Sequence, residues 1–270
     1  MSQEQSRNNP IAFFDSGIGG LTVLKEMMHL LPFEKYIYFA DTHNTPYGVK
    51  PPNKVVNYIQ DAVAILYSKN IKMLVIACNT PTAIAIEHLR NKYKFIIVGI
   101  EPAIKIPFDN KHPGKVLLLA TTLTLQSDKL NNLIDSVCLD KNLIVKKPAD
   151  KLVQFAENFD FGSTDVDKYI VSLFNNINLK EFSTIVLGCT HFSYFKDRFN
   201  KIIDNDRTIV IDGNYSTALN ACNLLGMYGI LSQNKDLLPI DFYGTQGKTF
   251  NNSYKDKLSY AINYLQSNII

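Results

Sequence analysis

Short apolar runs recur along the whole chain, and they constrain its fold more than any other feature. The runs are rich in Val, Ile, Leu and Phe and do not alternate with polar residues, which is typical of strands buried on both faces of a parallel sheet. We predict strands at 11–14, 36–40, 73–77, 95–99, 116–120, 143–146, 185–188, 208–211 and 241–243.

The stretches between these runs space their apolar residues as helices do. They predict helices at 21–31, 53–68, 81–92, 127–137, 150–158, 165–177, 193–202 and 215–230. Because strand and helix alternate, the sequence predicts an α/β fold with right-handed crossovers. The length of 270 residues suggests roughly two domains, and 101–115 and 204–214 are the candidate breaks.

Composition and charge exclude several classes of protein. Lys plus Arg is 28 and Asp plus Glu is 25, so the net charge of +3 is too small to indicate a nucleic-acid groove. The longest apolar runs are far shorter than the roughly 18 residues that span a bilayer, and the polar residues 1–10 do not resemble a signal peptide. We therefore expect neither nucleic acid nor membrane as a partner.

The cysteines indicate a reducing compartment and no metal site. The chain has four of them, with no Cys-x-x-Cys pair. Cys189-Thr190-His191 is the one place where Cys and His lie close in sequence, and two ligands cannot complete a tetrahedral site alone. We expect a cytoplasmic protein with free thiols.

The residues that follow the strands are the ones to inspect, because ligands of open α/β sheets bind at the carboxyl ends of the strands. Asp15-Ser16-Gly17-Ile18-Gly19-Gly20 follows the first strand. Its glycines expose backbone N–H groups that suit an anion, but the third glycine of a dinucleotide-binding loop is missing. The segment either binds a carboxylate or phosphate or is a tight turn without a ligand.

Two cysteines lie in matching positions after strands. Cys78-Asn79-Thr80-Pro81 follows the third strand, and Cys189-Thr190-His191 repeats the arrangement. We predict Pro81 at the first helical position, with Asn79 or Thr80 as the cap. A helix N-terminus favours a thiolate, so we expect the pKa of Cys78 to fall below about 8.5.

A single cysteine at a strand end is more often buried and inert than reactive, but a matched pair favours reactivity. Cys138 and Cys222 lie in helix-like stretches and are interpreted as filler. Hydrolysis needs one cysteine with a base, and a redox pair usually has its thiols close in sequence. Moving a proton between the two faces of one carbon needs a thiolate and a thiol that exchange roles. The pair therefore predicts racemisation without a cofactor.

Several ordered motifs resemble those of the glutamate racemases in the aspartate/glutamate racemase family. The resemblance runs from about residue 10 to beyond residue 240. The matching segments are 14–24, Asp41-Thr42, Pro46-Tyr47-Gly48, Ala77-Cys78-Asn79-Thr80, Ile100-Glu101-Pro102, Thr121-x-x-Thr124-x-x-Ser127 and Gly188-Cys189-Thr190-His191.

The resemblance implies two pseudo-symmetric α/β lobes with mainly parallel sheets and an active site in the cleft between them. Residues 1–100 and 211–270 would form the first lobe, with Asp15 and Cys78, and residues 101–210 the second, with Cys189 and His191. It also implies a homodimer that interconverts L- and D-glutamate without a cofactor and supplies D-glutamate for peptidoglycan.

The resemblance further implies the site residues. Cys78 would take the α-proton from the D-isomer and Cys189 from the L-isomer, with Asp15 and His191 assisting one thiol each and Glu157 acting near the second thiol. A helix cap at Asp15 and a core histidine at 191 are the structural alternatives. The implied substrate-binding residues are Asp15, Ser16, Pro46, Tyr47, Gly48, Asn79, Thr80, Thr121, Thr190 and His191.

The chain departs from the family pattern at three places. His43-Asn44-Thr45 stands where Ala-Arg-Val is usual, and Pro81 stands where Ala is common. In 147–157, Ala149 and Asp150 replace a Cys-Pro pair and Gln154 replaces a proline, whereas Glu157 is retained.

Two alternatives stay open on the sequence. One is the same chemistry on aspartate or on several amino acids, because one methylene is worth only about 1–3 kcal/mol of discrimination. The other is a regulatory protein that binds phosphate or a nucleotide at 15–20, which would have no need of both cysteines.

Overall fold

Two parallel sheets form the frame of the protein. The computed structural model describes residues 7–109, 114–204 and 206–267. The first sheet has five strands in the order β4-β3-β1-β2-β9, and the second has four in the order β6-β5-β7-β8. The strands are β1 Ile11–Asp15, β2 Tyr36–Ala40, β3 Met73–Ile76, β4 Ile96–Gly99, β5 Lys115–Ala120, β6 Ile144–Pro148, β7 Phe182–Leu187, β8 Ile209–Asp212 and β9 Asp241–Gly244.

Every pairing between these strands is parallel. The central strands β1, β3 and β7 are buried along their whole length, as their unbroken apolar runs predict. The predicted α/β class with mainly parallel sheets is therefore confirmed, and a strand lies at each of the nine predicted places.

Helices connect the strands and cover the sheets. The α-helices are α1 Leu21–Leu30, α2 Pro52–Tyr67, α3 Asn79–Lys92, α4 Ile106–Asp109, α5 Thr122–Leu125, α6 Asp128–Val137, α7 Lys151–Glu157, α8 Thr164–Leu173, α9 Lys196–Ile203, α10 Asn214–Met227 and α11 Asn252–Ser267. Short 3-10 helices occupy Tyr47–Val49, Lys141–Leu143, Leu179–Glu181, Thr190–Phe195 and Thr245–Gly247. No helix of the described residues is long and apolar enough to cross a membrane.

The helix after β3 begins earlier than predicted. α3 starts at Asn79, and Cys78 itself occupies the N-cap position with an extended backbone. Pro81 is therefore the third helical residue, and the prediction that Asn79 or Thr80 caps the helix is wrong. Proline is tolerated there because the N–H groups of the first turn have no partner within the helix.

The C-terminal helix α11 lies outside the predicted helices. Its apolar face carries Leu258, Ala261 and Ile262, which are buried in the core. The ring of Tyr264, on the same helix, packs in a tilted arrangement on Phe161, with ring centroids 4.6 Å apart. Polar residues surround this narrow apolar stripe, so the helix depends on packing against the rest of the molecule.

The chain leaves the first sheet after β4, forms the second sheet from β5 to β8, and returns to the first sheet with β9. β8 extends to Asp212, two residues past the limit predicted for the second lobe. The division into lobes at 1–100 with 211–270 and at 101–210 stays a prediction.

A buried ion pair in the first sheet joins Glu34, which lies just before β2, to Lys72, which lies just before β3. Nζ of Lys72 lies 2.5 Å from Oε2 of Glu34, and both side chains are almost fully buried. The same ammonium donates to the carbonyls of Arg7 and Ile230, and Glu34 accepts from the backbone N–H of Ser232. The pair therefore holds the segment before β1 and the segment after α10 against the sheet.

Lys72→Met should lower the free energy of unfolding by about 3–5 kcal/mol, because it leaves the Glu34 carboxylate buried without its cation. Lys115→Met is the matched control, since Lys115 pairs with Glu181 at 2.6 Å on the surface. Exposed pairs contribute about 0–1 kcal/mol. Urea unfolding of both variants gives the two values, and equal losses would contradict the structural role of the buried pair.

Candidate active site

The two predicted cysteines lie at the carboxyl ends of β3 and β7. Cys78 precedes α3, and Cys189 occupies the N-cap position of the 3-10 helix Thr190–Phe195. Both side chains are almost entirely buried, at 5% exposure. The parallel sheets thus place each thiol at the end of a helix, on the edge where such folds bind ligands.

On the side of Cys78, a serine lies between the thiol and a carboxylate. Oγ of Ser16 is 3.7 Å from Sγ of Cys78 and 3.4 Å from Oδ1 of Asp15. The backbone N–H of Gly17 donates to the same Asp15 oxygen at 2.7 Å. Asp15 is fully buried, so these contacts and the one described below for Thr190 replace its hydration.

On the side of Cys189, a histidine lies between the thiol and a second carboxylate. Nδ1 of His191 is 3.8 Å from Sγ of Cys189, and Nε2 of His191 is 2.6 Å from Oε1 of Glu157. The backbone N–H of Ile18 donates to the same Glu157 oxygen at 2.8 Å. Glu157 therefore touches both the histidine of the second thiol and the turn that follows β1.

The two sides form one network. The hydroxyl of Thr190, next to Cys189, donates to Oδ2 of Asp15 at 3.1 Å. The hydroxyl of Tyr194 donates to the carbonyl of Ile18 at 3.0 Å. Each strand-end turn is therefore hydrogen-bonded to the other across the space between the sheets.

Glycines permit this close approach. A Cβ on Gly17 would lie 1.8 Å from Oε1 of Glu157, and a Cβ on Gly19 would lie 2.4 Å from Nδ1 of His191. The glycines at these two positions of the turn are thus explained by close contact with Glu157 and His191, because a side chain there would displace them.

Burial determines the protonation of Cys78. It raises the pKa of this thiol well above its ordinary value, and the neighbouring Asp15 and Cys189 raise it further, while the contacts with Ser16 lower it by less. The prediction that the helix N-terminus lowers the pKa of Cys78 is therefore wrong. Loss of hydration and the negative charge of Asp15 outweigh the favourable end of the helix.

His191 is shifted in the opposite sense from what burial alone would cause. Burial lowers its pKa, but hydrogen bonds to Cys189 and Glu157, together with the charge of Asp15, raise it well above 6.5. Burial also raises the pKa of Asp15, against the lowering effect of His191 and the Gly17 N–H. An imidazolium at position 191 donates from both nitrogens, one to the thiol and one to Glu157.

A cluster of buried hydroxyls lies beside the cysteines. Oγ1 of Thr80 is 3.1 Å from both Thr121 and Thr124, which are 2.9 Å apart. A Cβ on Gly48 would lie 2.5 Å from Cβ of Thr121, so the turn that contains Gly48 packs directly on this cluster. Thr124, which the sequence shows only as a member of a motif, belongs to it because α5 turns its hydroxyl back toward Thr121.

The remaining predicted binding residues surround the same space. Tyr47 is buried, and Pro46 precedes it in a cis peptide bond with Thr45. Oδ1 of Asn79 is buried and has no hydrogen-bond partner among the described residues. An acceptor of this kind suits an ammonium or amide donor.

The other two cysteines have no part in this network. Cys138 ends α6 rather than lying within it, and its thiol donates to the carbonyl of Asp140. Cys222 lies half-buried on α10. Within 7–109, 114–204 and 206–267, no three His, Cys, Asp or Glu side chains are grouped so that they could hold a metal ion.

Asp150, which departs from the family pattern, has a structural role. Its carboxylate accepts from the backbone N–H and the hydroxyl of Thr122, at 3.0 and 2.6 Å. It therefore holds the start of α5, the helix that carries Thr124 into the hydroxyl cluster.

Two buried thiols, each linked through one side chain to its own carboxylate, define an acid/base centre on an α/β frame. The sequence profile of the Asp/Glu/hydantoin racemases matches residues 28–220 of this chain. The chain belongs to that family and is an isomerase that acts on amino acids.

Several proteins that are similar to this chain are glutamate racemases, which form one group within the family. A glutamate racemase of Halothermothrix orenii is 45% identical over 88% of this chain and 93% of its own. The structure of Escherichia coli glutamate racemase with L-glutamate and the activator UDP-MurNAc-Ala superposes with a TM-score of 0.80 at 27% identity, covering 95% of each chain. The glutamate racemase of Francisella tularensis with D-glutamate has a TM-score of 0.79 at 25% identity, over 97% of this chain and 96% of that one.

Gly19→Ala should reduce the rate of racemisation by about 10²-fold or more, because the added Cβ displaces His191 and Thr190, and a shift of about 1 Å at a reacting group has that effect. Gly226→Ala is the control: the nearest atom to its added Cβ lies 4.0 Å away, and alanine favours a helix by up to about 1 kcal/mol. Turnover and thermal unfolding of both variants test this. A Gly19→Ala enzyme with full activity would contradict the tight contact.

Proposed function

We propose that the protein interconverts L- and D-glutamate without a cofactor, with Cys78 and Cys189 as opposed proton carriers. The observation that carries this proposal is the matched pair of buried thiols, each of which contacts a side chain that is hydrogen-bonded to a carboxylate. Glutamate as the substrate is supported by the relatives named above, two of which hold glutamate of opposite chirality in their structures.

In the direction from L to D, the Cys189 thiolate removes the α-proton from one face of the substrate. The Cys78 thiol then gives its own proton to the opposite face, so that one thiolate and one thiol are present before and after the reaction. The raised pKa of Cys78, which favours its thiol form, supports this distribution, and so does the contact that places the imidazole of His191 beside Sγ of Cys189. The reverse reaction begins with the thiolate at Cys78.

Each carboxylate assists its own thiol through the intervening side chain. Glu157 holds His191 in the orientation that presents Nδ1 to Cys189, at the distances given above. Asp15 aligns Ser16 toward Cys78, and its charge is available to the substrate ammonium. Glu157 thus acts by positioning His191, whereas Asp15 contacts the substrate.

Hydroxyls and backbone N–H groups bind the two substrate carboxylates. Thr80, Thr121 and Thr190 contribute hydroxyls, and Ser16, Asn79, His191 and the segment Pro46-Tyr47-Gly48 complete the binding set. Neutral donors and helix N-termini can stabilise a carboxylate at an enclosed site without a buried cation. Because Asp15 and both cysteines are buried, the substrate reaches them only when residues that cover them move.

We further propose that this enzyme is a cytoplasmic homodimer that supplies D-glutamate for peptidoglycan. The four free cysteines support a reducing compartment. Large apolar side chains exposed along and just after α10 support association between copies; they are Tyr215, Leu219, Met227 and Tyr228. A regulatory protein that binds phosphate at 15–20 is disfavoured, because Glu157 and His191 already occupy the approaches to that turn.

Exchange of the α-proton in deuterated buffer, without added cofactor, tests the substrate and the chemistry together. We expect the α-proton signals of L- and D-glutamate to disappear as the opposite enantiomer appears. Faster exchange of aspartate would retain the mechanism and change the substrate, whereas no exchange of either amino acid would refute the proposal.

Two serine variants test the proposed proton carriers in that experiment, and a third serves as the control. Cys78→Ser and Cys189→Ser should each reduce racemisation by at least about 10²-fold, because an alcohol is a much poorer proton carrier near neutral pH. Cys222→Ser, half-buried on α10, should leave the rate unchanged. All three should keep the free energy of unfolding within about 1.5 kcal/mol of the wild type.

The rate should depend on pH with a bell shape, because activity requires one proton shared by two coupled thiols. Asp15 raises the pKa of Cys78, so removing its charge should make the second thiol proton easier to lose. We therefore expect Asp15→Asn to move the alkaline limb of kcat/KM to lower pH, besides reducing its height. An alkaline limb that stays in place would contradict the coupling between Asp15 and Cys78.

A further inference from the structure

Beyond the acid/base residues, one buried carboxylate organises the loop that carries Tyr47 and Gly48. Asp41 lies directly after β2 and is 2% exposed. Its Oδ2 accepts from the hydroxyl of Tyr47 at 2.5 Å. Nδ2 of Asn44 lies 3.2 and 3.0 Å from its two oxygens. The carboxylate is therefore the common acceptor for two residues of its own loop.

A third donor comes from the far end of the sequence. Oγ1 of Thr245 donates to Oδ1 of Asp41 at 2.7 Å and accepts from the backbone N–H of His43 at 3.1 Å. The sheet brings these residues together, because β9 pairs with β2 in a register that sets Gly244 opposite Ala40. One hydroxyl thus holds the loop at two points, the Asp41 side chain and the His43 backbone.

The effect of this hydroxyl reaches the hydroxyl cluster through Tyr47. The Tyr47 ring is buried and packs on Phe14 and Tyr58, with centroids 6.4 and 6.1 Å apart. Burial, together with the charge of Asp41, raises the pKa of Tyr47, so its phenol stays a donor. Gly48 follows Tyr47 directly and packs on Thr121 with no room for a Cβ. A change in the direction of the Asp41 carboxylate therefore moves Tyr47, and with it the Gly48 backbone.

We propose that Thr245 is a positioning residue for substrate binding: through Asp41 it fixes the Tyr47-Gly48 turn against Thr121. The inference rests on the proposed function, because that function makes the Tyr47-Gly48 turn part of the substrate-binding site. Thr245 lies outside residues 28–220, which match the family profile. Asp41 is held by three neutral donors, the hydroxyls of Tyr47 and Thr245 and the side-chain amide of Asn44. The loss of the Thr245 hydroxyl therefore leaves Oδ1 of the nearly buried Asp41 with the longer contact to Asn44, at 3.2 Å, in place of its shortest hydrogen bond.

Two substitutions at position 245 separate the hydroxyl from the shape of the side chain. Thr245→Val keeps the volume and removes the hydrogen bonds, and we expect it to raise KM for glutamate about tenfold, the lower end of what a hydrogen bond to a charged group contributes, with a smaller change in kcat. Thr245→Ser keeps the hydroxyl and should stay within about twofold of the wild type. Thr249→Val, an exposed threonine of the same segment, is the control for a general effect on this region.

A double substitution tests whether Thr245 acts on substrate binding through Asp41 and Tyr47. In a Tyr47→Phe background the ring at position 47 has no hydroxyl to bond to Asp41, so Thr245→Val should add less than about twofold to KM, as expected for residues of one network. Equal factors in both backgrounds would overturn the proposal, and so would a KM unchanged in Thr245→Val alone.

Hydrogen–deuterium exchange of the backbone amides reads the loop independently of activity. Thr245→Val should speed exchange at 41–50, and Thr245→Ser and Thr249→Val should not. Unchanged exchange in Thr245→Val would refute the positioning role even if the enzyme is active. A wild type without activity on glutamate or aspartate, but with the expected exchange pattern, would refute the proposed function and retain the structural link.

Discussion

The contact between Glu157 and the turn after β1 is the constraint on which the rest of the site depends. One carboxylate oxygen of Glu157 accepts from the Ile18 N–H and from His191. The same atom therefore contacts the turn after β1 in the first sheet and the histidine that follows β7 in the second. The contact exists only because Gly17 has no side chain. Thr190 and Tyr194 add further hydrogen bonds across the same gap, and both thiols lie buried beside these contacts.

The two halves of the site differ in the side chains that surround each thiol. Both cysteines occupy the same position relative to a strand and a helix, yet their neighbours differ: a neutral hydroxyl backed by Asp15 on one side, and an imidazole backed by Glu157 on the other. In the proposed mechanism, the matching backbone positions provide two proton carriers, and the unlike side chains beside them determine which thiol holds the proton. A site with identical surroundings for both thiols would have no preferred distribution of that proton.

Much of this arrangement follows from local sequence. Unbroken apolar runs predict the nine strands, and strand ends predict the positions of Asp15, Cys78 and Cys189, whereas the family resemblance alone points to Thr121. The helix α11 was not predicted, because its narrow apolar stripe depends on partners elsewhere in the chain. The pKa of Cys78 was predicted in the wrong direction, because burial and the charge of Asp15 arise only in the folded protein. The link from Thr245 to Asp41 has no local signal either, since strand pairing creates it.

The position of β9 at the edge of the first sheet has a consequence for how the chain folds. β9 pairs with β2, which lies near the other end of the sequence, and parallel pairs of this kind require distant segments to meet before any hydrogen bond forms. Until residues 241–244 are available, the edge of β2 has unpaired backbone groups, which invite association with other chains. During synthesis on the ribosome, the first sheet therefore remains open until residues 241–244 have emerged.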